Sequence, residues 1–133
     1  RFISYGYTNA ILDSFYYTKT YMGTTYNAWG YNVIAKIEGE ENPDSVCILG
    51  GHYDSIIRNT EAFSSAPGAN DNASGTSATL EVARVLKTKN FSSKTTIEFI
   101  CFGAEELGYW EAMIMHKSQI LHRKRFDLCL IMI

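Results

Sequence analysis

The stretch SVCILGGHYDS, residues 45–55, decides the fold class. Its short apolar run stops at a Gly-Gly pair, which is typical of a strand that is buried on both faces. His52 and Asp54 follow the run at once, and both side chains are able to bind ions or protons. A buried strand that ends in such residues indicates an α/β sheet with a polar site at the carboxyl end of the strand.

The segments on either side alternate between strand and helix patterns. The first thirty residues, rich in aromatic side chains and threonine, predict extended structure and loops. Further strands are predicted at 31–39 (YNVIAKIEG), 94–103 (KTTIEFICFG) and 126–133 (FDLCLIMI), with a polar turn at 38–45 (EGEENPDS). Helices are predicted at 72–89 and 106–123, after a long loop at 56–75. We therefore expect one domain over residues 1–133, with strands and helices in alternation.

The helix predicted at 72–89 has a 3.6-residue period that identifies its buried face. Asn72 or Ser74 is expected to cap its start. Glu81 and Arg84 are expected to pair on its surface. The face expected to pack on the sheet carries Gly75, Thr79, Val82, Ala83 and Leu86.

Composition excludes several classes of protein. Of the 133 residues, 46% are hydrophobic and 20% charged, and the net charge is -2, so a globular chain with neither a nucleic-acid nor a membrane partner is expected. No apolar stretch is long enough to span a bilayer, and no signal peptide is visible. Because the first residue is Arg1, we expect a processed or excised piece. The cysteines at 47, 101 and 129 lie in apolar runs, which predicts buried free thiols.

Candidate chemistry falls in three polar clusters, each at the carboxyl end of a predicted strand or just before a helix. They are HYD (52–54), GAND (68–71) and GAEELG (103–108). His52, Asp71 and the pair Glu105 and Glu106 each have an ordinary structural interpretation when taken alone. Adjacent glutamates after a buried strand, however, are better explained by a divalent cation, with one as ligand and the other as general base. Imidazole and carboxylate donors suit catalytic zinc.

Other histidines and motifs contribute less to this hypothesis. His116 and His122 lie six residues apart in the second predicted helix, and we interpret them as surface residues. No H-E-x-x-H motif occurs, which excludes the common single-zinc protease pattern.

Three blocks, GGHYDS (50–55), PGANDNASGTSATLEVARVL (67–86) and IEFICFGAEELG (97–108), resemble peptidase family M28, the co-catalytic zinc aminopeptidases. The resemblance covers roughly residues 15–110 and implies a three-layer α/β/α sandwich with a mixed, mostly parallel sheet, together with a secreted or periplasmic location. It implies that His52 and Glu106 each bind one zinc and that Asp71 bridges the two ions. Asp54 would orient His52, and Glu105 would be the general base. It further implies a cis peptide bond between Asp71 and Asn72, and peptide N-termini as substrates.

The resemblance also predicts what this chain lacks. A fourth ligand, an aspartate in a later strand, would align with Ile131, and Asp127 is a poor substitute for it. The fifth, a histidine, would lie beyond Ile133. We therefore expect one zinc or none, and little or no activity from this chain alone. A fragment, a diverged product and a non-catalytic interaction domain stay open, as does glutaminyl cyclisation. The apolar strand at 126–133 would expose a sheet edge and allow self-association.

Overall fold

The computed structural model describes residues 1–21, 23–56, 68–108 and 128–132, and in it the sheet is mixed. Its strands are β1 (Ile11–Tyr21), β2 (Thr24–Ile37), β3 (Gly39–His52), β4 (Ser93–Phe102) and β5 (Leu128–Met132), in the order β1-β2-β4-β3-β5. One long helix, α1 (Ser74–Thr88), occurs in the described ranges. The α/β class and the mixed sheet predicted from the sequence are therefore confirmed.

Among the strands that the structure describes, two pairs are parallel and two are antiparallel, so this part of the sheet is not mostly parallel, which corrects that prediction. β3 runs parallel to β4 and β5, whereas β2 runs antiparallel to both β1 and β4. The reason is the long β1–β2 hairpin, which the aromatic and threonine residues near the N-terminus form through a tight connection between Tyr21 and Thr24.

Both faces of the central strands are buried. On one face Ala35, Phe99 and Cys101 pack with Ala83 of α1, and on the other Ile34, Ile48, Ile100 and Phe102 form a second apolar cluster. Alternate residues of β4 thus point into two cores. The three-layer arrangement stays a prediction, as does the single domain over residues 1–133.

The predicted turn at 38–45 is wrong, because that segment is extended. β3 begins at Gly39, and its register against β4 shifts between Gly39 and Val46. The buried Thr96 hydroxyl is the hydrogen-bond partner of two backbone groups in this irregular section. It accepts the N–H of Gly39 at 3.1 Å and donates to the carbonyl of Pro43 at 2.8 Å. A Cβ on Gly39 would lie 2.6 Å from the carbonyl carbon of Thr95, so only glycine fits where the chain crosses the start of β4.

The helix prediction at 72–89 is confirmed, with one change. Gly75, Thr79 and Ala83 are buried, whereas Val82 is exposed. Asn72 acts as the predicted cap, since its Oδ1 accepts the N–H of Gly75 at 2.9 Å. The surface pair forms, with Arg84 Nε donating to Glu81 at 2.8 Å.

The remaining predictions near the C-terminus are only partly tested. The last predicted strand is confirmed as β5, and Ile131 pairs with Leu49 of β3. The second predicted helix, His116, His122, the basic run at 122–125 and Asp127 lie outside the described residues. Within the described ranges, no helix has the length and apolar character needed to cross a membrane.

Candidate metal centre

The predicted clusters meet at the carboxyl edge of the parallel strands. β3 and β4 are in register up to the pair His52 and Phe102, so both strands end at the same level. The N–H of Tyr53 extends the pairing by donating to the Phe102 carbonyl at 2.9 Å. The residues that follow β3, precede α1 and follow β4 are therefore brought to one place, as expected for a parallel sheet.

Two glycines allow α1 to approach the end of β3. A Cβ on Gly51 would lie 2.7 Å from the carbonyl carbon of Gly75 and 2.8 Å from the nitrogen of Thr76. The Thr76 hydroxyl also donates to the carbonyl of His52 at 2.8 Å. This backbone contact fixes the first turn of α1 against the strand that carries His52.

His52 is buried, and both of its ring nitrogens have partners. Its exposed fraction is 4%. Nδ1 lies 3.0 Å from the backbone carbonyl of Asp54, and Nε2 lies 2.9 Å from Oδ1 of Asp71. Because a carbonyl only accepts hydrogen bonds, Nδ1 carries a hydrogen, and Nε2 is the nitrogen available to a ligand in the neutral ring.

The pKa of His52 reflects these contacts. Burial lowers it, but the hydrogen bonds to the Asp54 carbonyl and to Asp71, with the charges of Glu105 and Asp54, outweigh burial and raise the pKa above its ordinary value. The surroundings of Nε2 thus favour a positive charge at that position.

The carboxylate of Asp54 binds the turn that carries Glu105 and Glu106 rather than the imidazole ring of His52. Its carboxylate accepts the backbone N–H of Glu105 at 3.2 Å and that of Glu106 at 3.0 Å. Oδ1 of Asp54 is 3.6 Å from Nδ1 of His52, beyond hydrogen-bond distance. The expected contact with His52 is present, but the backbone carbonyl makes it, because the carboxylate is turned towards the glutamate turn.

Asp71 lies in an irregular turn at Ala69–Ala73 immediately before α1. The peptide bond between Asp71 and Asn72 is cis, as the resemblance implied. The Asp71 side chain is 78% exposed, so its carboxylate is open to solvent on the side away from His52.

Glu105 and Glu106 begin a short 3-10 turn, Glu105–Leu107, directly after β4. Ala104 and Gly108 flank it with φ angles of 63° and 76°. Lys19 of β1 donates to the carbonyl of Leu107 at 2.6 Å. The sequence did not reveal Lys19 as a support of the glutamates, because only the hairpin register brings it there.

The donor atoms of three predicted ligands converge. One atom each from His52, Asp71 and Glu106 lies within 4.8 Å of the other two. Glu105 stands beside them, with Oε2 3.7 Å from Nε2 of His52. One imidazole nitrogen and two carboxylates are a donor set that catalytic zinc accepts, so the residues present fit the ion.

Residues 32–130 match the profile of peptidase family M28. A probable zinc metalloprotease from Pyricularia oryzae is 38% identical over 88 residues, an alignment that covers 65% of this chain and 17% of that protein. The chain thus spans only a small part of the curated relatives it matches.

Two solved structures are also similar to this chain. An aminopeptidase from Aneurinibacillus is 33% identical, with a TM-score of 0.58, and the match covers 75% of this chain and 24% of that one. A glutaminyl cyclase from Fimbriiglobus ruber has a TM-score of 0.62 at 17% identity, covering 99% of this chain and 50% of that one. At that identity the likeness concerns the fold alone.

Proposed function

Because this chain belongs to peptidase family M28, we propose that it forms the zinc-binding part of an aminopeptidase. The observation that carries the proposal is the convergence of His52, Asp71 and Glu106, whose donor atoms lie within 4.8 Å of one another. His52 and Glu106 would each hold a zinc ion, and Asp71 would bridge two ions where two are bound. Bound zinc supplies Lewis-acid polarisation of a peptide carbonyl and a lowered pKa for water.

In this proposal Glu105 moves the proton. Its side chain is 30% exposed, so it is partly shielded from solvent yet accessible from the cluster. The carboxylate takes a proton from the water that attacks the carbonyl carbon of the first peptide bond. It returns that proton to the leaving amine as the C–N bond breaks, which yields a free amino acid and a shortened peptide.

Asp54 fixes the backbone positions of Glu105 and Glu106 in this arrangement. By accepting the N–H groups of Glu105 and Glu106, it fixes the turn so that both side chains point towards His52. It acts as a positioning residue, because it contacts neither the ligand-bearing Nε2 nor Asp71.

The substrates that we propose are peptide and protein N-termini. The support is the aminopeptidase among the similar structures and the open side of Asp71, where a substrate amine could approach a carboxylate.

We also propose that the 133-residue chain alone holds one zinc weakly and hydrolyses little or no peptide. Ile131 stands in β5 where the resemblance places the fourth ligand, and an isoleucine cannot bind zinc. Hydrolysis of leucine and alanine arylamides by the zinc-treated chain tests this expectation. Robust turnover that disappears in Glu105→Gln would contradict the inactivity and would support the peptidase chemistry.

The alternative is a non-catalytic domain that keeps the peptidase scaffold for protein interaction, and Ile131 is the observation that favours it. The two proposals differ in zinc affinity. A metal site predicts that zinc, but not magnesium, raises the melting temperature, by an amount that grows with the logarithm of the free zinc concentration once the site is largely occupied. Equal melting temperatures with zinc, magnesium and chelator would favour the interaction domain.

We propose self-association through the sheet edge, which is compatible with both the peptidase and the interaction domain. Among the described strands, β5 pairs with β3 on one side only. An exposed edge strand is a template for pairing with a second copy. Size-exclusion chromatography at several concentrations checks this, and a monomer throughout would count against it.

A further inference from the structure

A cleft runs from the candidate metal centre along the β1–β2 hairpin. Its volume is about 640 Å³, and it includes Glu106 and Leu107 at one end and Tyr17, Tyr26 and Ala28 of the hairpin along its wall. The geometry points to this cleft as a side-chain subsite for a large apolar or aromatic residue of the peptide, formed by the hairpin. The inference rests on the proposed function, since it places the peptide at the same centre.

The hairpin register creates the recess. Phe15 pairs with Gly30, and the phenyl ring lies over the glycine, where a Cβ would be 2.3 Å from its Cζ atom. The next pair on that face is Tyr17 with Ala28. Alanine is too small to fill the space beside Tyr17, so a gap opens one pair further along the hairpin, next to the buried Phe15.

The cleft is continuous with the metal centre through the glutamate turn. Glu106 belongs both to the cleft wall and to the cluster with His52 and Asp71. Leu107 packs against the cluster of Phe15 and Ala104, and its carbonyl accepts the Lys19 hydrogen bond. These contacts attach the hairpin to the turn, so a peptide bond held at Glu106 would have its neighbouring side chain at the hairpin wall.

The lining determines which side chains fit. Two tyrosine rings, Ile56 and Leu107 offer apolar contact, and aromatic rings gain additional energy from stacking. Lys19 and Glu106 line the same cleft with opposite charges; where Glu106 binds zinc, the positive charge of Lys19 remains and disfavours lysine and arginine side chains. A pocket of this volume accommodates a leucine or phenylalanine side chain with room for the adjoining peptide.

Binding of amino-acid amides tests the subsite without requiring turnover. Phenylalaninamide, alaninamide and lysinamide are titrated into the zinc-treated chain and followed by NMR chemical shifts. We expect phenylalaninamide to bind about tenfold more tightly than alaninamide, a typical discrimination for an apolar pocket, and lysinamide to bind no better than alaninamide. Equal affinities for phenylalaninamide and alaninamide would overturn the subsite.

Ala28→Phe fills the recess and is expected to remove the preference for phenylalaninamide. Thr25→Phe is the matched control, because it adds the same ring to β2 on the other face of the hairpin. A preference that survives in Ala28→Phe would overturn the subsite. Should Ala28→Phe fail to fold, Tyr26→Ser gives the same test by removing one wall.

Measuring zinc affinity distinguishes a failure of the subsite from a failure of the proposed function. Zinc binding without a side-chain preference would overturn the subsite and leave the proposed function intact. A preference that Ala28→Phe removes, in a chain without zinc affinity, would contradict the proposed function and support the cleft.

Discussion

Oδ2 of Asp54 accepts the backbone N–H of Glu106 at 3.0 Å, which joins the end of β3 to the turn after β4. The backbone carbonyl of the same aspartate lies 3.0 Å from Nδ1 of His52. One residue therefore sets the position of two proposed zinc ligands that are far apart in sequence. This link makes the site a property of the parallel pair β3 and β4 and not of any single motif.

Asp54→Asn is expected to weaken the site and the fold together. The amide has a single acceptor oxygen, so one of the N–H groups of Glu105 and Glu106 loses its partner, at a cost of about 1–3 kcal/mol. Zinc affinity should fall about 10–100-fold, as is usual when the support of a metal ligand is lost. Zinc titration and urea unfolding measure the two effects, with the exposed Asp44→Asn as control. Unchanged zinc affinity in Asp54→Asn would show that the link does not position the ligands.

The two glutamates should differ when each is changed to glutamine. Glu106→Gln removes a proposed ligand and should weaken zinc binding at least about tenfold. Glu105→Gln removes the proposed base and should leave zinc binding nearly unchanged. Parallel calorimetric titrations check the contrast, and each variant serves as the control for the other. The reverse order of effects would exchange the two roles.

Gly51→Ala is expected to separate α1 from β3. The added methyl group would lie 2.7 Å and 2.8 Å from backbone atoms of Gly75 and Thr76. Backbone atoms, unlike a side chain, cannot relieve such a clash by changing rotamer. We expect a loss of about 1–3 kcal/mol in the free energy of unfolding, as for overpacked cores. Gly23→Ala is the comparison, because its surroundings are open and only its φ of +78° is costly. Equal stability of Gly51→Ala and the native chain would mean that the helix contact is adjustable.

Cys101 should resist thiol reagents while the chain is folded. Burial raises the pKa of its thiol to about 11, against an ordinary value of 9.0, so almost no reactive thiolate is present at pH 8. Because folding raises this pKa, the contribution of Cys101 to the free energy of unfolding is complete below pH 9 and is lost as the pH rises towards 11. Labelling of a chain with Cys47→Ser and Cys129→Ser, with and without urea, measures this. Rapid labelling without urea would place the thiol at the surface.

The sequence was sufficient for the parts of the fold and site that local patterns determine. The continuous apolar run before His52 predicted a strand buried on both faces, and the residues at the ends of β3 and β4 were correctly expected to meet. The 3.6-residue period after Asn72 likewise predicted α1, because capping and helical period are local properties.

The parts that could not be predicted depend on partners distant in sequence. The segment at 38–45 looks like a turn because it is polar, yet the buried hydroxyl of Thr96 and the crossing over β4 keep it extended. Lys19 and the recess at Ala28 depend on hairpin register, which a slip of one residue would reverse. The carboxylate of Asp54 finds its partners after β4, whereas the family resemblance implied that Asp54 orients His52.

The most direct measurement is a calorimetric zinc titration of the native chain beside Asp71→Ala. We predict binding of zinc by the native chain, and no measurable binding by the variant, because Asp71 supplies the carboxylate opposite Nε2 of His52 at 2.9 Å. Circular dichroism should show the same fold in both chains, since the Asp71 side chain is largely exposed. No zinc binding by the native chain, or equal binding by a folded Asp71→Ala, would contradict the metal centre.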